Sequence, residues 1–352
     1  MNQKTPLNRP TLGYAALEKN GALVPWTFNR RQLRTKDVAL KILFSGVCHS
    51  DIHAIKDGWG QEFPLVPGHE IVGEVIELGS DVTKFKLGDK VMVGTIVDSC
   101  RECEPCQQKM EVYCRQYPTT AYDGLDRVDG TRTRGGFSHE YVCDEHFVYH
   151  LPKNLDPAAA APLLCAGVTT FSPLRHWKIG PGKTVGVVGI GGLGHLGIKF
   201  ARAMGAHVVA FTTSANKIEQ ALKLGAHEVV LSKDEKQMQA QAYRLDFILD
   251  TVSTTYAMNP FLNALKIDGT LCSLGIPDKF DFQPMLLAIG RRSIASSGSG
   301  GTADTNEMLE FCSQHNIVAD VEVISPKGIN SALARLEKGD VHYRFVMDMS
   351  KA

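Results

Sequence analysis

The stretch GKTVGVVGIGGLGHLGIKFARAMGAHVVAFTTSANK, Gly182 to Lys217, decides the fold of half of this chain. Thr184 to Val188 is a valine-rich apolar run and reads as a strand. Gly189, Gly191 and Gly194 then spell G-x-G-x-x-G, with Gly192 and Leu193 inside the turn. Leu196, Ile198, Phe200, Ala201 and Met204 follow at helical spacing, Gly205 stops the helix, and His207 to Phe211 is the next strand. A glycine triplet alone says little; between a strand and a helix it predicts a dinucleotide-binding turn. There the bare backbone approaches a pyrophosphate, and the helix N-terminus offers free N–H groups. An NAD site carries Asp or Glu about 20 residues on, to hold the ribose 2′-hydroxyl. Here that place reads Phe211, Thr212, Thr213, Ser214, Ala215, Asn216, Lys217. Hydroxyls and a lysine suit a 2′-phosphate, which a carboxylate would repel, so the expected cofactor is NADPH rather than NADH.

The alternation continues on the C-terminal side. VVAFTT, HEVVLS, LDFILDTVS, TLCSLGIP and SIASSG read as later strands between helical segments, which predicts a doubly wound parallel sheet. Before residue 150 the pattern changes to short alternating runs and turn signals: VALKILFSGV, EIVGEVIEL, DKVMVGTIV and EYVCDEHFVYHLP, all expected as β-strands. After about 299 come a helix, NEMLEFCSQHN, and the strands VEVI and YRFVMDM. A length of 352 residues suits about two domains. The 38 basic and 38 acidic residues balance, so no charge excess favours nucleic acid. MNQKTPLNRPTLG lacks the apolar core of a signal peptide, and the smoothest apolar stretch, Thr184 to Ile198, is short for a membrane span and crowded with glycine. The expectation is a soluble, cytoplasmic protein without membrane partners.

Four of the nine cysteines fall in CRECEPCQQKMEVYC, as Cys100, Cys103, Cys106 and Cys114. C-x2-C-x2-C-x7-C lets one tight loop aim three sulfurs at a point while the fourth returns from the next turn. Four thiolates close a tetrahedral shell around zinc and leave no position for substrate, so such a site is structural. Four thiolates also suit an iron–sulfur cluster. The lobe is not basic, which argues against nucleic-acid binding.

Three other segments carry candidate ligands: SGVCHSDIHAIKDGWG, VPGHEIVGEV and APLLCAGVTT. Taken singly each is weak. In chain order, and with the four-cysteine lobe, APLLCAGVTTFSPLRHW, the glycine turn and the closing HYRFVMDM, the sequence resembles the zinc-containing medium-chain alcohol dehydrogenases. It is most similar to their cinnamyl alcohol dehydrogenase branch, which includes bacterial NADPH-dependent aldehyde reductases. The resemblance covers about nine-tenths of the chain and turns the lobe reading toward zinc. It implies a GroES-like β-rich catalytic domain, residues 1–158 and 296–352 with a structural-zinc lobe at about 95–117. A Rossmann nucleotide-binding domain, 159–295, completes the α/β architecture, with the active site in the cleft between them.

By the same resemblance Cys48, His69 and Cys165 hold a catalytic zinc, with Glu70 as a fourth, exchangeable ligand. Three protein ligands leave a position for substrate oxygen, and zinc polarises an aldehyde carbonyl. Asp51 is the candidate to orient His69. Hydride transfer leaves an alkoxide in need of a proton; Ser50 is expected against the substrate oxygen and His53 further along the relay. His49 is expected at the pyrophosphate, Thr169 on the nicotinamide, and Ser297 and Ser299 at the nicotinamide ribose. Family members more often have a larger apolar residue at Gly298 or Ser299. Trp59 is a candidate pocket wall, and Tyr117 and Tyr122 possible lining groups in the polar loop 116–138. Cys143, Cys272 and Cys312 carry no expected chemistry.

The function expected is NADPH-dependent reduction of aromatic and medium-chain aldehydes, in a homodimer with two zincs per chain. A polyol dehydrogenase is one alternative, disfavoured by the missing ribose acid. A reductase of C=C or C=N bonds is another, as in relatives that have lost catalytic ligands; here all four are present. A non-enzymatic NADPH-binding protein would have no need of them.

Overall fold

The computed structural model describes residues 9–56 and 60–351; Trp59 lies outside the described residues. The chain divides into two compact units, one of residues 1–165 with 300–352 and one of residues 166–299.

The spine of the first unit is the eleven-residue strand Asp37–Val47. Its run of β-branched and apolar residues suits a strand covered on both faces. It pairs antiparallel with Ile71–Leu78, Glu140–Asp144 and Arg344–Asp348. The sheet continues through Lys90–Val93 to Val148–His150 on one side, and through a parallel pairing with Val321–Ile324 on the other. Leu40, Ile42, Ile71, Val75, Val93, Phe137 and Phe345 pack into its core. Each such side chain stabilises by roughly 2 kcal/mol on full burial. The segments expected as strands before residue 150 form strands. A separate antiparallel pair, Pro10–Ala16 with Leu23–Asn29, was not expected. Pro10 and Pro25 mask it in the sequence, because proline is confined to strand starts and sheet edges, the positions these strands supply.

The second unit is the doubly wound sheet expected. Its parallel strands lie in the order Glu228–Leu231, His207–Thr212, Thr184–Val188, Leu245–Asp250, Leu265–Ser273, Ser293–Ser296. The order reverses beside Thr184–Val188, which puts the glycine turn at the switch point where ligands bind in such sheets. Val209, Phe211, Leu245, Ile248, Leu262 and Leu271 belong to its buried core. Among the described residues no single helix is long and apolar enough to cross a membrane.

Candidate active site and metal centres

Cys48 ends the strand Asp37–Val47 and caps the short helix His49–Ile55. The cap is closed by Asp51, whose Oδ2 accepts the Cys48 N–H at 2.9 Å. Asp51 is fully buried, and its other oxygen accepts from the Gly68 N–H at 3.1 Å and lies 3.2 Å from His69 Nδ1. One carboxylate therefore ties together the two segments that carry Cys48 and His69. It fixes the proton on Nδ1 and leaves Nε2 of His69 free to ligate. The residues Cys48, His69, Glu70 and Cys165 each offer a donor atom, all within 4.8 Å of one another. The two sulfurs stand 3.9 Å apart, close to the separation of about 3.8 Å for two thiolates on one tetrahedral zinc. All nine cysteines are free thiols, so this proximity is not a disulfide. The contact with Cys165, aided by the charges of Arg344 and His69, draws the Cys48 thiol well below its ordinary value. The same contact, with burial, pushes Cys165 up.

Glu70 is wholly buried. One of its oxygens pairs with Arg344, itself 3% exposed, and the other is sealed from solvent with no hydrogen-bond partner. Burial pushes this carboxyl up to about 7 despite the opposing Arg344 charge. Gly46 makes the room: a Cβ there would stand 1.9 Å from Glu70 Oε2. An orphaned carboxylate oxygen beside two sulfurs and an imidazole is a donor set that fits zinc. Arg344 was missed by sequence reasoning; a lone arginine in a strand 274 residues from Glu70 carries no local signal.

Ser50 Oγ lies 3.6 Å from Cys48 Sγ. His53 follows one turn later on the same helix, and both it and His49 are exposed. Tyr122 is buried with its ring centroid 5.7 Å from that of His69, whereas Tyr117 is 84% exposed.

The sulfurs of Cys100, Cys103, Cys106 and Cys114 converge as expected. Cys106 Sγ lies 3.8 Å from Cys100 Sγ and 3.4 Å from Cys103 Sγ. The N–H groups of Cys103, Cys100 and Arg115 donate to the sulfurs of Cys100, Cys114 and Cys103 at 3.3, 3.4 and 3.5 Å. The Cys103 N–H, foremost, brings the Cys100 thiol down to about 6, and the Arg115 N–H lowers Cys103. Burial pushes Cys106 up to about 12. Donors aimed at sulfur stabilise thiolate, which fits a metal and not a set of protonated core cysteines. The lobe is pinned by Glu111, 1% exposed. Its carboxylate accepts from the N–H and hydroxyl of Thr302, each at 2.8 Å, and lies 2.9 Å from His146 Nε2. Burial opposes the charge, but these partners hold Glu111 down at about 2. Thr302 opens the helix Thr302–His315, so Glu111 caps a helix 191 residues away.

In the second unit, Gly189 has φ +87, and a Cβ on Gly194 would stand 1.8 Å from the Gly189 carbonyl oxygen. A Cβ on Gly191 would meet nothing within 4 Å. Two glycines thus build the turn, and the third borders open space, where a dinucleotide could come close to the backbone. Thr251, unnoticed in the sequence, pins the turn by donating to the Val188 carbonyl at 2.8 Å. Lys217 Nζ reaches back to the Ile190 carbonyl at 3.0 Å, which sets its charge beside the turn. Thr212 is buried and accepts from the Ser214 N–H at 3.2 Å; Thr213 is exposed and Ser214 half-buried. Thr169 is half-buried on the helix Ala166–His176, and Ser297 and Ser299 are half-buried beyond the last strand. Gly191→Val is expected to leave the melting temperature within about 3 °C of wild type while weakening dinucleotide binding at least about tenfold. Gly194→Ala, with backbone in the way, is expected to cost about 2–3 kcal/mol of stability. Thermal melts with fluorescence titration of the cofactor separate the two.

Comparison with known proteins bears on this geometry. Residues 34–153 match the alcohol dehydrogenase GroES-like domain, and residues 192–314 match the zinc-binding dehydrogenase family. A protein of Fragaria ananassa described as a probable mannitol dehydrogenase is 49% identical over 341 residues, 96% of this chain and 94% of that one. The solved structure of a cinnamyl alcohol dehydrogenase from Sorghum bicolor superposes with a TM-score of 0.94 at 43% identity, covering 98% of this chain and 99% of that one. A CAD structure from Helicobacter pylori, complexed with NADP(H), superposes with a TM-score of 0.91 at 36% identity, covering 98% and 99%. With both halves matched and its metal-ligand clusters assembled, this chain belongs to the zinc-binding alcohol dehydrogenase family, in the cinnamyl alcohol dehydrogenase branch, and is an oxidoreductase of alcohols and aldehydes.

Proposed function

We propose that the protein reduces aldehydes to primary alcohols with NADPH, reversibly, with aromatic and medium-chain aliphatic aldehydes as substrates. The observation that carries this reading is the buried cluster of Cys48, His69, Glu70 and Cys165. These residues would hold the catalytic zinc, and Cys100, Cys103, Cys106 and Cys114 a structural one. Zinc at the first site supplies Lewis acidity toward the substrate oxygen. Asp51 orients His69, and Arg344 holds Glu70 back as an exchangeable donor. Ser50 gives its hydroxyl proton to the oxygen of the product, and exposed His53 returns a proton from solvent. The glycine turn carries the pyrophosphate. Thr212, Thr213, Ser214 and Lys217 meet the 2′-phosphate, with no acid to repel it. The NADP(H) complex of the Helicobacter relative supports this choice.

A homodimer is supported by the strand Ser293–Ser296, which among the described residues pairs on one side only, with Leu265–Ser273. Ile276, Met285 and Ile289, between these strands in sequence, are exposed. Free thiolate ligands fit a reducing compartment, hence the cytoplasm. A sugar-alcohol substrate is the second reading, favoured by the name of the strawberry relative.

The test is reduction of cinnamaldehyde and benzaldehyde with NADPH or NADH, beside oxidation of mannitol, in wild type and Ser214→Asp. NADPH is expected to be preferred by at least about a hundredfold in kcat/KM, and the introduced carboxylate to remove most of that preference. Equal use of NADH would overturn the cofactor assignment, and faster turnover of mannitol the substrate class.

A further inference from the structure

The first unit contains a cavity of about 650 Å³ that none of the catalytic cluster lines. Its walls come from residues 28–37, 97–102 and 116–144, so it lies beside the four-cysteine lobe, and Cys100 is on its surface. Eight cationic side chains face it against five carboxylates. Four of those carboxylates are already taken by Arg31, Arg34 and Arg101. Among the described residues, Arg30, Arg127, Arg134 and Lys36 have no carboxylate at ion-pair distance.

These four differ in how they are held. Arg30 is 7% exposed and spends its donors on the carbonyls of Glu140, Arg134 and Gly135 and the Ser138 hydroxyl. No carboxylate pairs with it directly; Glu140, whose charge attracts it, is itself paired with Arg9. Arg134 has a guanidinium nitrogen, Nη1, sealed from solvent with no acceptor at all. Arg127 and Lys36 are both exposed, and Arg127 bonds only to neutral oxygens of Gln116 and Tyr117. Arginines on a convex face are simply hydrated. Uncompensated guanidinium charge in a concave, partly desolvated space is costly and focuses positive potential into that space. An anion inside it removes the cost. Guanidinium forks match carboxylate and phosphate oxygens, and the volume falls within the roughly 300–1,000 Å³ of small-molecule sites.

We propose that this cavity is a second ligand site, separate from the cofactor and substrate sites, for a small organic molecule carrying two or more oxyanion groups, held by Arg134, Arg127 and Lys36. Because Cys100 lines the same space, an occupant lies against the metal lobe and slows release of its metal.

The test uses zinc-loaded enzyme saturated with NADP⁺, so that the glycine turn is already filled. Calorimetric titration with 2,3-bisphosphoglycerate and with tricarballylate asks whether the oxyanion is phosphate or carboxylate. One site per chain is expected for at least one of them, with a Kd of about 1 mM or tighter. The double variant Arg127→Gln, Arg134→Gln is expected to weaken it at least about tenfold, and Lys36→Gln severalfold. Arg244→Gln, in the other unit, is expected to change nothing. The bound probe is expected to slow zinc loss to a chromophoric chelator. Lys36→Gln, on an exposed rim, decides the matter alone should the double variant fail to fold. No saturable heat with either probe, affinity unchanged in the rim or double variant, or binding seen only without NADP⁺ would each overturn the proposal.

Discussion

Cys48→Ser is expected to leave a folded chain that holds one zinc instead of two and reduces cinnamaldehyde at least about a thousandfold more slowly. The magnitude follows from losing the charge stabilisation that a metal provides, about 4 kcal/mol or more of the barrier. Serine is the informative replacement because Cys48 has two jobs. Its backbone caps the helix His49–Ile55 with Asp51 as the reciprocal partner, and serine is a good cap residue. Its sulfur stands 3.9 Å from Cys165, and a neutral hydroxyl is a poor replacement for that thiolate. Circular dichroism should therefore be unchanged and NADPH affinity kept, while metal analysis and kcat fall together. Retained activity with one zinc lost would show that the reaction does not need this centre.

Cys106→Ser is expected to do the reverse. Its thiol is buried, and both Cys100 and Cys103 approach it. The surrounding lobe has a four-residue helix and one turn of 3-10 helix to hold it together. Beyond the Glu111 contacts a bound metal would be the chief cross-link there, so a lost ligand is expected to cost about 3–5 kcal/mol, or roughly 10 °C in melting temperature. Zinc again falls from two per chain to one, but the remaining zinc is the catalytic one. Turnover per folded chain at low temperature should stay within a few-fold of wild type. Two single-sulfur variants with equal zinc loss and opposite consequences would assign each centre. Similar consequences from both would mean that the centres are not independent.

The features legible in the sequence are those whose cause is local. Strand, glycine turn and helix lie in consecutive residues, and the C-x2-C-x2-C spacing is a property of one loop. Asp51 was within reach of inference because it sits three residues from the ligand that it supports. Arg344 and Glu111 were not. Each is a charged residue whose partner, Glu70 or Thr302, lies far along the chain and is brought near by sheet pairing or helix docking. The arginine cavity is hidden for the same reason: its walls come from three separate segments, and its positive balance disappears in a chain whose formal net charge is zero. The strands carrying Pro10 and Pro25 were concealed by residues that a central strand would not tolerate.

The pairing of Arg344–Asp348 with Asp37–Val47 also has a consequence for biosynthesis. The second unit is contiguous, residues 166–299, whereas the first is interrupted by it. At about 5–20 residues per second, the ribosome needs roughly 10–40 s after residue 165 to deliver the strand that completes the first sheet. Throughout that interval Glu70 lacks Arg344 and the sheet beside the catalytic thiols lacks a strand, and for most of it Glu111 also lacks Thr302. A nascent chain stopped at Ser299 is expected to protect its nucleotide-binding unit from protease while residues before 165 are still cut. The order of synthesis then makes the cofactor-binding half the first to fold, and the last fifty residues the step that closes the metal site against the cell's thiol-reactive chemistry.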